Sequence, residues 1–143
     1  MERFLRCLNF VAFYSYAWFL VLIGGILGLF VPTWGPMEFE VYARVIFKLQ
    51  IDPEAMASAL NQYRFMKSTE FGFGLFALLF REQIYTNRKF NRFFLGVLFL
   101  GSAMRALSML LDGRPQTTYI LFLALETLAG VVVLLYSRKT LQK

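Results

Sequence analysis

The chain reads as an all-α integral membrane protein, a bundle of four transmembrane helices, and three features of the sequence predict this. The composition is 58% hydrophobic and 18% aromatic, with a mean hydropathy of +0.55, whereas a soluble domain is nearer 45–50% apolar. The apolar residues gather into four blocks, 8–31, 62–80, 93–111 and 118–136. Each is roughly 19 to 24 residues long, enough to cross a ~30 Å hydrocarbon core. Within these blocks polar residues do not recur every third or fourth position, as they would on a helix with one watered face. The whole chain, 1–143, is then one transmembrane domain, with an extramembrane segment at 37–61.

The first block follows Arg3 and Arg6. A positive start before an apolar run could be a signal peptide, but this run exceeds the usual 7–15-residue core and no small-x-small cleavage site follows. It is expected to stay as a helix. Gly24 and Gly28 form a GxxxG spacing, which lets another helix approach closely within the bundle. Pro32 and Pro36 end it, with Trp34 at the interface between them.

Beyond this, Val41 to Ile51 fits either an interfacial helix or a short strand. Asp52-Pro53-Glu54 is a clearer signal: a cap, a proline in the first turn and an acid beside it predict a helix starting at Pro53. That helix runs on into the second block, which carries Arg64, Lys67 and Glu70. The two basic residues lie near the entrance, where long side chains can snorkel to headgroups. Gly74 and Ala77 share the face of Glu70, so that face is narrow and suited to a helix interface.

Residues 81–92 (REQIYTNRKFNR) read as a polar, basic connector to the third block. The third and fourth blocks form a hairpin about Asp112-Gly113-Arg114-Pro115-Gln116. Arg105 lies ~10 Å before that turn and Glu126 about 14 Å after it, at ~1.5 Å per residue. Opposite charges at matching depth predict an ion pair between the two helices. Gly101, Ser108 and Asp112 place Arg105 on a small, polar stripe, and Ala129 and Gly130 follow Glu126. The second helix enters from the side of the turn, so Glu70 is expected in the same layer as Arg105 and Glu126. Unpaired charge at mid-helix costs on the order of 3 kcal/mol, so these groups should face inward.

Orientation follows from the basic residues. The N-terminus, the 81–92 connector and the C-terminal tail hold Arg3, Arg6, Arg81, Arg88, Lys89, Arg92, Arg138, Lys139 and Lys143. Both termini are therefore expected in the cytoplasm. The net charge of +6 is accounted for by this bias and implies no nucleic-acid partner.

Histidine is absent and Cys7 is the single cysteine. No metal site, cofactor or catalytic residue is assigned: no Ser-His-Asp set, phosphate loop or nucleophile elbow is present. An acid–base pair of Glu70 with Glu126 stays open as a catalytic alternative. The charged layer fits either a structural clamp or the polar floor of a pocket for a hydrophobic or lipid-like ligand. Its candidate binding residues are Arg64, Lys67, Glu70, Arg105, Asp112 and Glu126.

The segments GSAMRALSMLLDGRP (101–115) and LETLAG (125–130), with Arg64 ahead of Gly72 and Gly74, resemble a bacterial family of small four-helix membrane proteins of unknown function in the DoxX-like group. The resemblance implies a four-helix bundle in a bacterial inner membrane and no established activity. DoxX itself is associated with quinone-linked oxidoreductase complexes. Three readings follow: a non-catalytic protein with an outer-side pocket for a hydrophobic ligand or membrane lipid, an accessory subunit or homo-oligomer docking through the GxxxG helix or the 37–61 segment, and a small enzyme or proton-coupled carrier.

Overall fold

The apolar blocks fold as helices that leave many of their large side chains exposed. A computed structural model describes residues 2–30, 53–115 and 117–141. No strand occurs among the described residues. Helix α1 begins as Glu2–Trp18, passes into a π-helical stretch, Phe19–Leu27, and closes with the single turn Gly28–Phe30. It is followed by α2 (Pro53–Leu79), α3 (Arg81–Thr86), α4 (Arg88–Leu111) and α5 (Thr117–Leu141). The expected 37–61 segment lies outside the described residues up to residue 52, and its remainder is the start of α2.

Among the described residues, three helical segments are long and apolar enough to cross a membrane: Arg3–Phe30, Arg88–Leu111 and Tyr119–Leu141. In the most apolar window of α4 only 22% of the residues are buried. Leu110, Leu111 and Phe30 are each more than 70% exposed. Apolar surface on that scale is what lipid covers. Helix α2 spans the second expected block but is not among these three, because Arg64, Lys67 and Glu70 interrupt its apolar run.

The expected 81–92 connector is itself helical. Phe80 departs from helical geometry (φ −104°, ψ 23°), α3 makes a short turn, and Asn87 is extended (φ −117°, ψ 121°) before α4 starts. Asn87 caps α4 by accepting a hydrogen bond from the Lys89 backbone N–H at 2.9 Å, the usual role of Asn at a helix start.

The chain divides into two compact units. The first takes residues up to Tyr16 together with those from Leu79 onward, and the second is Ala17–Leu78. In the second unit, α1 and α2 meet through glycines. A Cβ built on Gly24 would fall 2.5 Å from Glu70 Oε2, and one on Gly28 would fall 2.8 Å from Lys67 Cγ and Cδ. From the other helix, a Cβ on Gly74 would stand 3.0 Å from Leu20 Cβ and 3.1 Å from the Ala17 carbonyl oxygen. The GxxxG spacing is thus used inside the chain, as small residues let backbones approach. The π-helical stretch turns Leu20, Val21, Gly24 and Gly25 inward together.

The first unit centres on Phe13, Ile84, Phe94 and Val133, all fully buried. Phe13 packs on Tyr85 and on Phe94, with ring centroids 5.5 Å apart in each case. Tyr85 also meets Tyr136 edge-on. Two buried polar side chains are satisfied within this core. The Tyr85 hydroxyl donates to Asn9 Oδ1 at 3.0 Å, and Asn91 Nδ2 donates to the Ile84 carbonyl at 3.0 Å. Along the α4–α5 hairpin, Gly130 sits against Leu98 and Phe99.

Candidate functional site

The hairpin places the chemistry of the first unit. Helix α4 ends because Gly113 takes a left-handed conformation (φ 97°), which costs glycine nothing. The Asp112 N–H closes the last turn on the Ser108 carbonyl at 2.7 Å. Past that turn, α5 runs back beside α4 and brings Glu126 to Arg105.

The pair is a fork. Arg105 Nε donates to Glu126 Oε2 at 3.1 Å and Nη2 donates to Oε1 at 3.3 Å. Two parallel charge-assisted bonds fix orientation as well as charge. The side chains keep 32% and 17% of their exposure, so the pair is half-buried. Of the five guanidinium N–H donors, these bonds occupy two.

In the second unit the charges pair along one helix. Lys67 Nζ lies 3.2 Å from Glu70 Oε1 and 3.0 Å from Oε2, one turn away. The Lys67 ammonium also stands 5.4 Å from the centre of the Tyr63 ring, within cation–π range. Lys67 is 3% exposed. It does not snorkel outward, because Gly28 leaves room for its stem and Glu70 offers a carboxylate within reach. The ionic partner of Glu70 is Lys67. Glu70 belongs to one unit and the Arg105–Glu126 pair to the other.

Two other expected residues are more open. Arg64 is exposed on α2. Asp112 is exposed and accepts a hydrogen bond from the Ser108 hydroxyl at 2.8 Å. Gly101, expected to line the stripe of Arg105, is exposed with nothing near its missing Cβ.

Sequence reading missed the polar core at Asn9, Tyr85 and Asn91, the helix α3, and the Asn87 cap at the start of α4. Asn87 ahead of Arg88 was the available signal for the cap. For Asn9 and Asn91 the signal was polarity inside or beside an apolar block, where an amide needs a partner. Burial raises the Tyr85 phenol above the usual tyrosine range, against smaller lowering influences from the Asn9 hydrogen bond and the Arg81 charge.

No curated protein and no solved structure matches the chain. A family match, by contrast, covers residues 11–137, nearly the whole of what α1 to α5 span. The protein therefore belongs to the family described as domain of unknown function DUF4345.

Proposed function

We propose that this DUF4345 protein is a non-catalytic bacterial inner-membrane protein that crosses the bilayer four times and binds a hydrophobic or lipid-like ligand from the outer side. The observation that carries the reading is the Arg105–Glu126 fork. It is half-buried, lies ~10 Å from the hairpin turn at 1.5 Å per residue, and leaves arginine donors unspent. A ligand with an apolar body and an oxygen-bearing head would place that head on Arg105. The other proposed contacts in that unit are Glu126 and Asp112.

The fourth crossing is α2. Lys67 and Glu70 neutralise each other, so the helix enters lipid with Arg64 as its remaining basic charge near the entrance. Insertion scales charge about 3 kcal/mol for a lone mid-helix ion, and mutual pairing lowers that cost. Kinship with the DoxX-like group, which rests on segments 101–115 and 125–130, belongs to the same proposal, as does the cytoplasmic placement of both termini.

Acid–base chemistry is less well supported. Glu70 and Glu126 each face a cation at salt-bridge distance, so each carboxylate is already engaged in its own ion pair. Docking of a partner through Gly24 and Gly28 is also disfavoured, since α2 occupies that face.

The test is native mass spectrometry of gently solubilised protein, with lipid extraction, comparing wild type with Arg105→Met/Glu126→Leu. Wild type should retain a defined small molecule that the folded variant loses. A persistent protein partner in its place, or a bare monomer in both, would overturn the reading.

A further inference from the structure

The opposite end of the α4–α5 hairpin holds a groove lined by none of the ligand contacts proposed above. It is an open groove of about 600 Å³ between the first turns of α4 and the last turns of α5. Arg88 and Arg92 line it from α4 and Arg138 from α5, while Gly96, Phe99 and Leu134 carry it inward. On α4 the residues at 88, 92, 96 and 99 follow helical spacing, so basic and apolar walls lie along one stripe. From Arg88 to Phe99 that stripe is ~16 Å long at 1.5 Å per residue. The groove is therefore charged at its mouth and apolar along its length.

Its charge is uncompensated. None of the three arginines has an acidic partner among the described residues. The first turn of α4 contains no acid, although Arg88 and Lys89 stand at a helix start, where the macrodipole already favours an anion. Gly96 keeps the groove open, for nothing lies within 4 Å of where its Cβ would be. Asn91, between the two α4 arginines, is tied back to the Ile84 carbonyl and holds the start of α4 in place.

We infer that this groove binds an anionic phospholipid, its phosphate among Arg88, Arg92 and Arg138 and an acyl chain along Gly96, Phe99 and Leu134. The shared chemistry is a phosphate oxyanion, and the apolar length of the groove selects a lipid over a free phosphate. The site goes beyond the ligand proposed at Arg105, which lies 13 residues further along α4, ~20 Å away at helical rise.

The experiment titrates detergent-solubilised full-length protein with dioleoyl phosphatidylglycerol or dioleoyl phosphatidylcholine and counts bound lipid by native mass spectrometry. Phosphatidylglycerol should be retained on the order of tenfold more tightly than phosphatidylcholine, and Arg92→Gln/Arg138→Gln should remove that preference. Gly96→Leu keeps all the charge, favours the helix and fills the groove, so it should lose the lipid with helical circular dichroism unchanged. Arg105→Met/Glu126→Leu should bind phosphatidylglycerol as wild type does, which separates this site from the other. Equal retention of both lipids, or full retention by Gly96→Leu, would overturn the proposal. So would displacement of the lipid by an equal concentration of glycerol 3-phosphate, because the apolar groove would then contribute nothing.

Discussion

Arg105 and Glu126 close the α4–α5 hairpin with two parallel hydrogen bonds, Nε to Oε2 at 3.1 Å and Nη2 to Oε1 at 3.3 Å. The residues are 21 apart in sequence, and a turn stopped by a left-handed glycine brings them level. Removing one partner leaves the other half-buried without its counter-charge. Arg105→Met and Glu126→Leu should each destabilise the protein by about 1–2 kcal/mol, less than a fully buried pair because both side chains keep some exposure. The double replacement should recover most of the loss. Reversible unfolding in mixed micelles measures all three, and an additive double variant would show that the two groups do not depend on each other.

The Lys67–Glu70 pair should respond asymmetrically. Lys67 keeps 4% of its side-chain exposure and Glu70 keeps 29%. Glu70→Gln leaves an ammonium buried without its carboxylate, whereas Lys67→Met leaves a carboxylate that can turn toward solvent. Glu70→Gln is expected to cost about 3 kcal/mol and Lys67→Met roughly 1 kcal/mol. The same unfolding assay ranks them, and a reversed order would contradict the burial described for Lys67.

Glycine substitutions should separate by contact. Gly74→Ala drives a methyl against Leu20 Cβ and the Ala17 carbonyl, which belong to a packed backbone. It should lose about 1–3 kcal/mol through overpacking. Gly101 and Gly72 have nothing within 4 Å, so alanine there should gain up to about 1 kcal/mol from helix propensity. Thermal unfolding of the three variants checks the order.

Tyr85 supplies a pH dependence. Its phenol is buried and titrates above the usual tyrosine value, so between the unfolded and folded values the unfolded chain binds fewer protons than the folded one. Stability should therefore hold below pH ~10 and fall as pH rises through the folded value. Tyr85→Phe should flatten that alkaline fall. It should also cost about 1–2 kcal/mol at neutral pH, because buried Asn9 loses its donor. Tyrosinate absorbance during alkaline titration should show a late-ionising group missing from Tyr85→Phe.

How much of this was legible in the sequence depended on whether the signal was local. The start of α2 at Pro53 was, because proline and an acid in a first turn act within one turn. The Arg105–Glu126 pair was legible too, because a short turn between two straight helices makes depth a matter of counting. The burial of Lys67 was not, because it depends on the space Gly28 leaves on a different helix. The π-helical stretch at Phe19–Leu27 has no simple residue signature, and the helical connector depended on the Asn87 cap. Arg88, Arg92 and Arg138 were read only as positive charge at one face of a membrane. Sequence order does not show that α4 and α5 line one groove with them.

Whether α2 crosses the membrane is decided by parity. Four crossings leave both termini on one side, whereas the three apolar helices alone would leave them on opposite sides. The direct measurement is labelling with a membrane-impermeant maleimide in bacterial cells whose outer membrane has been opened. It compares the native Cys7, which is exposed near the N-terminus, with Cys7→Ser/Lys139→Cys and Cys7→Ser/Arg114→Cys. The four-crossing topology predicts that the thiols at 7 and 139 react only after the inner membrane is lysed, while the one at 114 reacts before. Labelling of 7 and 139 from opposite sides would contradict it.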